Sequence, residues 1–100
     1  MSIGNLDPDL QKLVARLDSS NLDTRLAAIM ALAASLAAEP NQQIILRLLE
    51  LLKDSEPRVR LAVVKILEPF SDDSDRVVPA IEALLTDQDL QVQGAARKVL

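Results

Sequence analysis

The strongest indication of the fold is the stretch LKDSEPRVRLAVVKIL, residues 52–67, in which a polar turn precedes a helix that starts with proline. Apolar residues recur at intervals of three and four, which is typical of an amphipathic helix. The predicted packing face is aliphatic: Val59, Ala62, Val63, Ile66 and Leu67. The other face mixes charged and aliphatic residues: Arg58, Arg60, Leu61, Val64 and Lys65. We expect the first face to pack and the second to meet a partner.

The same pattern occurs three times along the chain. Residues 17–32 and 85–100 align with residues 52–67, and each segment begins and ends with leucine around a matching alanine. Another apolar stripe at helical spacing precedes each segment. Each repeating unit is therefore predicted to be a helical hairpin. Units of this length bury their stripes by stacking on their neighbours.

These observations predict an all-α fold, an αα-superhelix (α-solenoid) of three hairpins with about six helices in a single domain of residues 1–100. The predicted helices are 8–17, 22–38, 41–53, 57–69, 75–86 and 90–100. The predicted repeats are about 6–38, 41–70 and 74–100. Three prolines fit first turns, where a missing N–H costs nothing: Pro8, Pro57 and Pro79. The candidate N-terminal caps are Asp7, Glu56, and Ser74 or Asp75.

The composition excludes several kinds of chemistry. The chain has no cysteine and no histidine, which rules out disulfides, thiol catalysis, imidazole catalysis and the usual zinc sites. The carboxylates of residues 72–75 lack the spacing of a calcium loop, and we find no catalytic constellation. We therefore predict no enzyme activity and no cofactor. The first residues do not resemble a secretory signal, and the longest apolar stretch, 26–38, is too short to span a membrane. A cytoplasmic protein is expected.

At this point the residues resemble HEAT repeats, especially the short bacterial repeats also found in phycobilin-lyase-like proteins. The resemblance rests on the turn and second helix, and residues 52–67 match it best. It implies that the second helix of each hairpin lines a concave surface where ligands lie. It also implies that arginines at the places of Arg25 and Arg60 pair with turn acids such as Asp54. The other copies depart from the pattern; in the first, for example, Thr24 stands at the position that Val59 holds in the second.

The candidate partner-binding residues are the outer positions of the second helices: Arg25, Leu26, Ile29, Met30, Arg60, Leu61, Val64, Lys65, Arg97 and Lys98. Aligned from repeat to repeat, they change from apolar through mixed to basic. Such a surface suits an amphipathic or acidic peptide segment. We therefore predict a non-catalytic protein-interaction scaffold that binds a segment of another protein.

Two alternatives remain open from the sequence. A chromophore-lyase-related subunit would bind a bilin and a client protein. A nucleic-acid module is disfavoured because the formal net charge is −4 and Phe70 is the only aromatic residue. The last hairpin has no polar cap, and its outward side is expected to include Leu84, Val99 and Leu100. End-to-end self-association through that side is a further expectation.

Overall fold

The computed structural model describes residues 7–72 and 75–100, which contain six α-helices and no strand. The helices are α1 (Pro8–Arg16), α2 (Leu22–Ala38), α3 (Gln42–Glu50), α4 (Pro57–Leu67), α5 (Val77–Glu82) and α6 (Leu90–Val99). Short 3₁₀ turns continue three of them: Leu51–Lys53, Glu68–Phe70 and Ala83–Thr86. The all-α prediction is confirmed, and each helix lies within a few residues of its predicted bounds.

The helix N-termini confirm one predicted cap and contradict two. The Asp7 carboxylate accepts a hydrogen bond from the Asp9 N–H at 2.7 Å, as expected of a cap. Glu56 occupies the N-cap position of α4 but makes no such bond, since glutamate is not among the short side chains (Ser, Thr, Asp, Asn) that favour this position. Asp75 is also wrong, since Arg76 occupies the N-cap position of α5 and its side chain makes no capping bond. The alternative there, Ser74, lies outside the described residues.

Contacts divide the chain into two compact units, and the first is Met1–Arg47. In this unit α1 packs on α2, joined by the polar turn that the sequence predicted. Its buried side chains are all apolar: Val14, Leu17, Ala28, Ile29, Leu32, Leu36, Ile44 and Ile45. Asp18 in the turn pairs with Arg47 of α3 at 3.1 Å.

The second unit is Leu48–Leu100, so the boundary lies inside α3 rather than between two predicted repeats. Here α4 packs on the 3₁₀ turn before it and on α6, and α6 also contacts α5 and the turn 83–86. The buried residues are Leu48, Leu51, Leu52, Val59, Val63, Val64, Leu67, Val77, Ile81, Leu84, Val92 and Ala96. Two second helices, α4 and α6, therefore lie side by side within one unit.

The buried face of the second helices differs from the predicted one. Ile29 and Val64, expected on the outer face, are 0% exposed. By contrast Ala27 and Ala31, which align with Ala62 and Ile66 of the predicted packing face, are exposed. The buried face of these helices is therefore rotated toward the aligned positions of Ile29 and Val64, which hold larger side chains than alanine. Burying isoleucine and valine removes more apolar surface from water than burying alanine, so this rotation is the more favourable one.

Candidate functional site

A groove of about 510 Å³ runs between α4 and α6 in the second unit. Its aliphatic lining comes from both helices: Leu61 and Val64 on α4, and Ala95 and Val99 on α6. The two helices start at equivalent places in their repeats, and some aligned residues, such as Lys65 and Lys98, both reach the groove. The groove thus arises from the repeat itself, between two consecutive second helices.

Charged and polar side chains line the same groove. Lys65 and Lys98 occupy aligned positions, one on each helix, and Glu68 and Gln91 complete the polar part of the lining. Two lysines against one glutamate leave the groove with a positive balance, although the whole chain has a formal net charge of −4. The groove therefore combines an aliphatic surface with local positive charge.

Gly94 forms part of the groove wall on α6. A methyl group added at this position would meet nothing within 4 Å, so the glycine is not required by packing inside the chain. Its backbone is not in a positive-φ conformation. The missing side chain therefore leaves space in the groove and exposes helix backbone there.

One position in each second helix binds the turn of its own hairpin. Arg25 donates from Nη1 to the Ser19 carbonyl at 2.9 Å, and Arg60 donates from Nη1 to the Asp54 carbonyl at 2.7 Å. In the third hairpin the amide of Gln93 donates to the Asp87 carbonyl. The glutamine thus retains the contact to the turn without the charge.

The turn residues themselves are equivalent in a second way. The side chains of Ser19, Asp54 and Asp87 each accept a hydrogen bond from the N–H of the residue two places later, at 3.1, 2.9 and 2.9 Å respectively. In the first turn this contact is made by the serine, not by the neighbouring Asp18. A hydroxyl therefore stands where the two later turns have a carboxylate.

Arg60 also reaches the turn of the following hairpin. Its Nε and Nη2 donate to the two carboxylate oxygens of Asp87, both at 2.9 Å, and both side chains are largely buried. The hydrogen bond from Arg60 holds the pKa of the Asp87 carboxyl below its ordinary value, against the opposing effect of burial; the Asp89 N–H adds to the lowering. Correspondingly, the hydrogen bonds that Arg60 donates to Asp87 raise the pKa of Arg60. This bidentate pair links two consecutive hairpins.

Comparison with known families identifies these repeats: the model described as HEAT repeats matches residues 10–100. The chain belongs to the HEAT repeat family. Membership of this family also supports the αα-superhelix fold class that the sequence predicted. HEAT repeats generally mediate protein–protein interaction, and the family is typically a non-catalytic scaffold. Searches of curated proteins and of solved structures find no significant match.

The predicted partner-binding residues of this HEAT protein fall into different surroundings. Leu61, Val64, Lys65 and Lys98 are brought together along the α4–α6 groove. Val64 is nevertheless buried, so placing it on an exposed face was wrong. The helix packing covers its side chain, so Val64 lies against the groove without offering exposed surface to a partner.

The remaining predicted residues lie elsewhere. The guanidinium groups of Arg25 and Arg60 contact the turns, which removes both from the outer surface expected of them. Ile29 is buried in the first unit, and its placement on an exposed face was likewise wrong. Met30 is 62% exposed and Leu26 is half-buried, so partner contact at either stays a prediction. Arg97 is also exposed.

Five groove residues were not among the predicted site residues: Glu68, Gln91, Gly94, Ala95 and Val99. Three of them, Gln91, Ala95 and Val99, recur every fourth residue and so form one edge of α6. A groove between two parallel helices takes one edge from each. Comparing that edge of α6 with the opposite edge of α4 would have found them from the sequence.

Two findings concern other kinds of site. Within residues 7–72 and 75–100, no group of three or more acidic side chains is placed to hold a metal ion. In the same ranges, every helix falls short of the length or apolar character that a membrane span requires.

Proposed function

We propose that this HEAT repeat chain is a non-catalytic protein-interaction module whose α4–α6 groove binds an acidic, amphipathic segment of another protein. The observation that carries the proposal is that Lys65 and Lys98, one on each helix, line the same partly aliphatic groove. Apolar side chains of the segment would contact Leu61 and Val99. Its carboxylates would pair with the two lysines.

The groove lining supports a peptide rather than a catalytic substrate. Leu61, Ala95 and Val99 are each partly exposed at the groove, which leaves apolar surface for a ligand to cover. The space at Gly94 allows the segment to approach the helix backbone closely. Within the described residues no nucleophile paired with a base lines the groove.

The proposal is tested with two synthetic amphipathic peptides that carry the same leucines. One has glutamates on its polar face and the other has lysines, and binding is measured by fluorescence anisotropy. We expect the acidic peptide to bind and the basic one not to bind. In the double variant K65E/K98E the preference should reverse, with the acidic peptide losing about 2 kcal/mol, or about thirtyfold in Kd.

Lys53 supplies the matched control, because it is exposed and lies outside the groove lining. K53E should leave the peptide preference intact. Leu61→Asp with Val64 unchanged should remove binding of the acidic peptide while the helical circular dichroism persists, since Leu61 is only half-buried. Equal binding of both peptides, or equal losses in K53E and K65E/K98E, would contradict the proposal.

A further inference from the structure

The third hairpin exposes leucines that the second hairpin buries. Leu85 is 37% exposed and Leu100 is 48% exposed, whereas their equivalents Leu52 and Leu67 are 3% and 0% exposed. Leu67 ends α4, the helix that packs on α6. The face that is covered on the second hairpin is therefore uncovered on the third hairpin. We call the surface formed by Leu85, Arg97 and Leu100 the leading face.

The first hairpin carries a surface of the opposite kind. A hollow of about 520 Å³ lies on α1 and α2, lined by Leu13, Arg16, Asp23, Thr24, Ala27, Ala28 and Ala31. Three of these residues, Asp23, Ala27 and Ala31, align with the α6 edge that faces α4. We call this hollow the trailing face. Its small side chains leave room for larger ones.

The packing of α4 on α6 shows how two such faces meet. In that contact Val64 of α4 and Gln91 of α6 line the same groove, and Arg60 binds Asp87 of the next turn. The position of Val64 is taken by Arg97 on the leading face. The position of Gln91 is taken by Asp23 on the trailing face. The same register between the two faces would thus place an arginine and an aspartate in the lining of the same groove.

We propose that copies of this chain associate head to tail, with the leading face of one copy packed on the trailing face of the next. The exposed leucines would be covered as Leu52 and Leu67 are covered in the second unit, and Arg97 would pair with Asp23. Arg97 is exposed, and its guanidinium contacts Gln93, four residues earlier on the same helix, at 3.3 Å, so it lies at the surface where Asp23 of another copy can reach it.

The turn positions of the two faces are also compatible in charge. In the second unit the linking pair is Arg60 with Asp87, both charged. In the head-to-tail register the equivalent pair is Gln93 with Ser19, both neutral. Neither residue would therefore bring an uncompensated charge into the contact.

Such a contact joins two different surfaces, so each added copy presents a further leading or trailing face to the next. Sedimentation velocity should show an average mass that rises past the dimer as protein concentration increases. Raising the salt concentration should reduce it, because the central pair is ionic.

Charge reversal tests the register directly. D23R and R97D should each weaken association about tenfold or more, because each places like charges together. An equimolar mixture of the two variants should restore it, since each altered face then meets its complement. E39R and K53D, at exposed positions outside both faces, are the matched controls and should behave as the unaltered chain.

The outcomes separate clearly. A monomer at all concentrations, an assembly that stops at two copies, or a mixture that fails to recover would each overturn the proposal. Far-UV circular dichroism checks that every variant remains helical. Neither Asp23 nor Arg97 lines the α4–α6 groove, so binding of the acidic peptide should be unchanged in these variants. Failure here is thus distinguishable from failure of the groove proposal.

Discussion

Replacing Gly94 by alanine should stabilise the protein and at the same time weaken peptide binding. Gly94 is an interior residue of the ten-residue helix α6. Glycine inside a helix costs about 0.8–1 kcal/mol relative to alanine, since it loses more backbone freedom on folding. At most glycines a new methyl group can offset this gain by clashing with a neighbour. Here it would meet nothing within 4 Å.

The expected gain is therefore about 1 kcal/mol in the free energy of unfolding. For a domain of this size that corresponds to a rise in Tm of about 4–8 °C. The methyl group finds no packing partner, so no further gain from burial is expected. Thermal and urea unfolding, followed by far-UV circular dichroism, measure the difference. The matched control is Ala95→Gly at the next position, which should destabilise by a similar amount or more because Ala95 is half-buried.

Binding provides the second measurement on the same variant. The added methyl group fills part of the groove wall, so G94A should bind the acidic peptide more weakly although it is more stable. A variant that is no more stable than the unaltered chain would show that α6 is not a formed helix at this position in solution. Increased stability with unchanged binding would show that the peptide does not approach Gly94.

The remaining predictions concern the linking pair and the two alternatives left open by the sequence. Asp87→Asn should lower the free energy of unfolding, measured with urea, by about 1–3 kcal/mol, because Arg60 loses a bidentate charged partner. An effect no larger than that of changing an exposed carboxylate would contradict this. The pKa of Asp87 is lower in the folded chain than in the unfolded one, so its stabilisation is complete above the unfolded pKa of about 3.9 and is lost as pH falls through the folded value. D87N should therefore lose less stability on acidification than the unaltered chain. Incubation with a bilin should induce no visible circular dichroism, and double-stranded DNA should show no binding with a steep salt dependence; either signal would instead favour the corresponding alternative.

The sequence predicted the positions of the helices well because the relevant signals are local. Turn residues and prolines mark where α2 and α4 begin, and these signals depend little on distant parts of the chain. The predicted start of α2 at residue 22 and its end at residue 38 agree with the structure. The cap at Glu56 failed for an equally local reason, because glutamate is a poorer N-cap residue than aspartate, asparagine or serine.

The faces of the helices were harder to predict, and α2 shows why. Residues 26–38 are almost entirely apolar, so hydrophobic residues occur on nearly every side of the helix. Periodicity then selects no single face, and packing decides. Packing favoured Ile29 over Ala27, because the larger side chain gains more from burial. In α6, with polar residues at more positions, the buried residues Val92 and Ala96 align with Val59 and Val63 of the predicted packing face.

The change from Ile29 through Val64 to Arg97 was interpreted as a gradient along one binding surface, and burial gives it a different meaning. Ile29 and Val64 are covered, whereas Arg97, in the same column, is exposed. An aligned set of positions that is apolar where it is covered and charged where it is exposed reflects helix packing, not a graded binding surface. It follows that Val64→Asp would test folding rather than binding, and that Leu61 and the two lysines are the residues that test the groove. Arg97 belongs to a separate question, namely what meets the exposed face of the third hairpin.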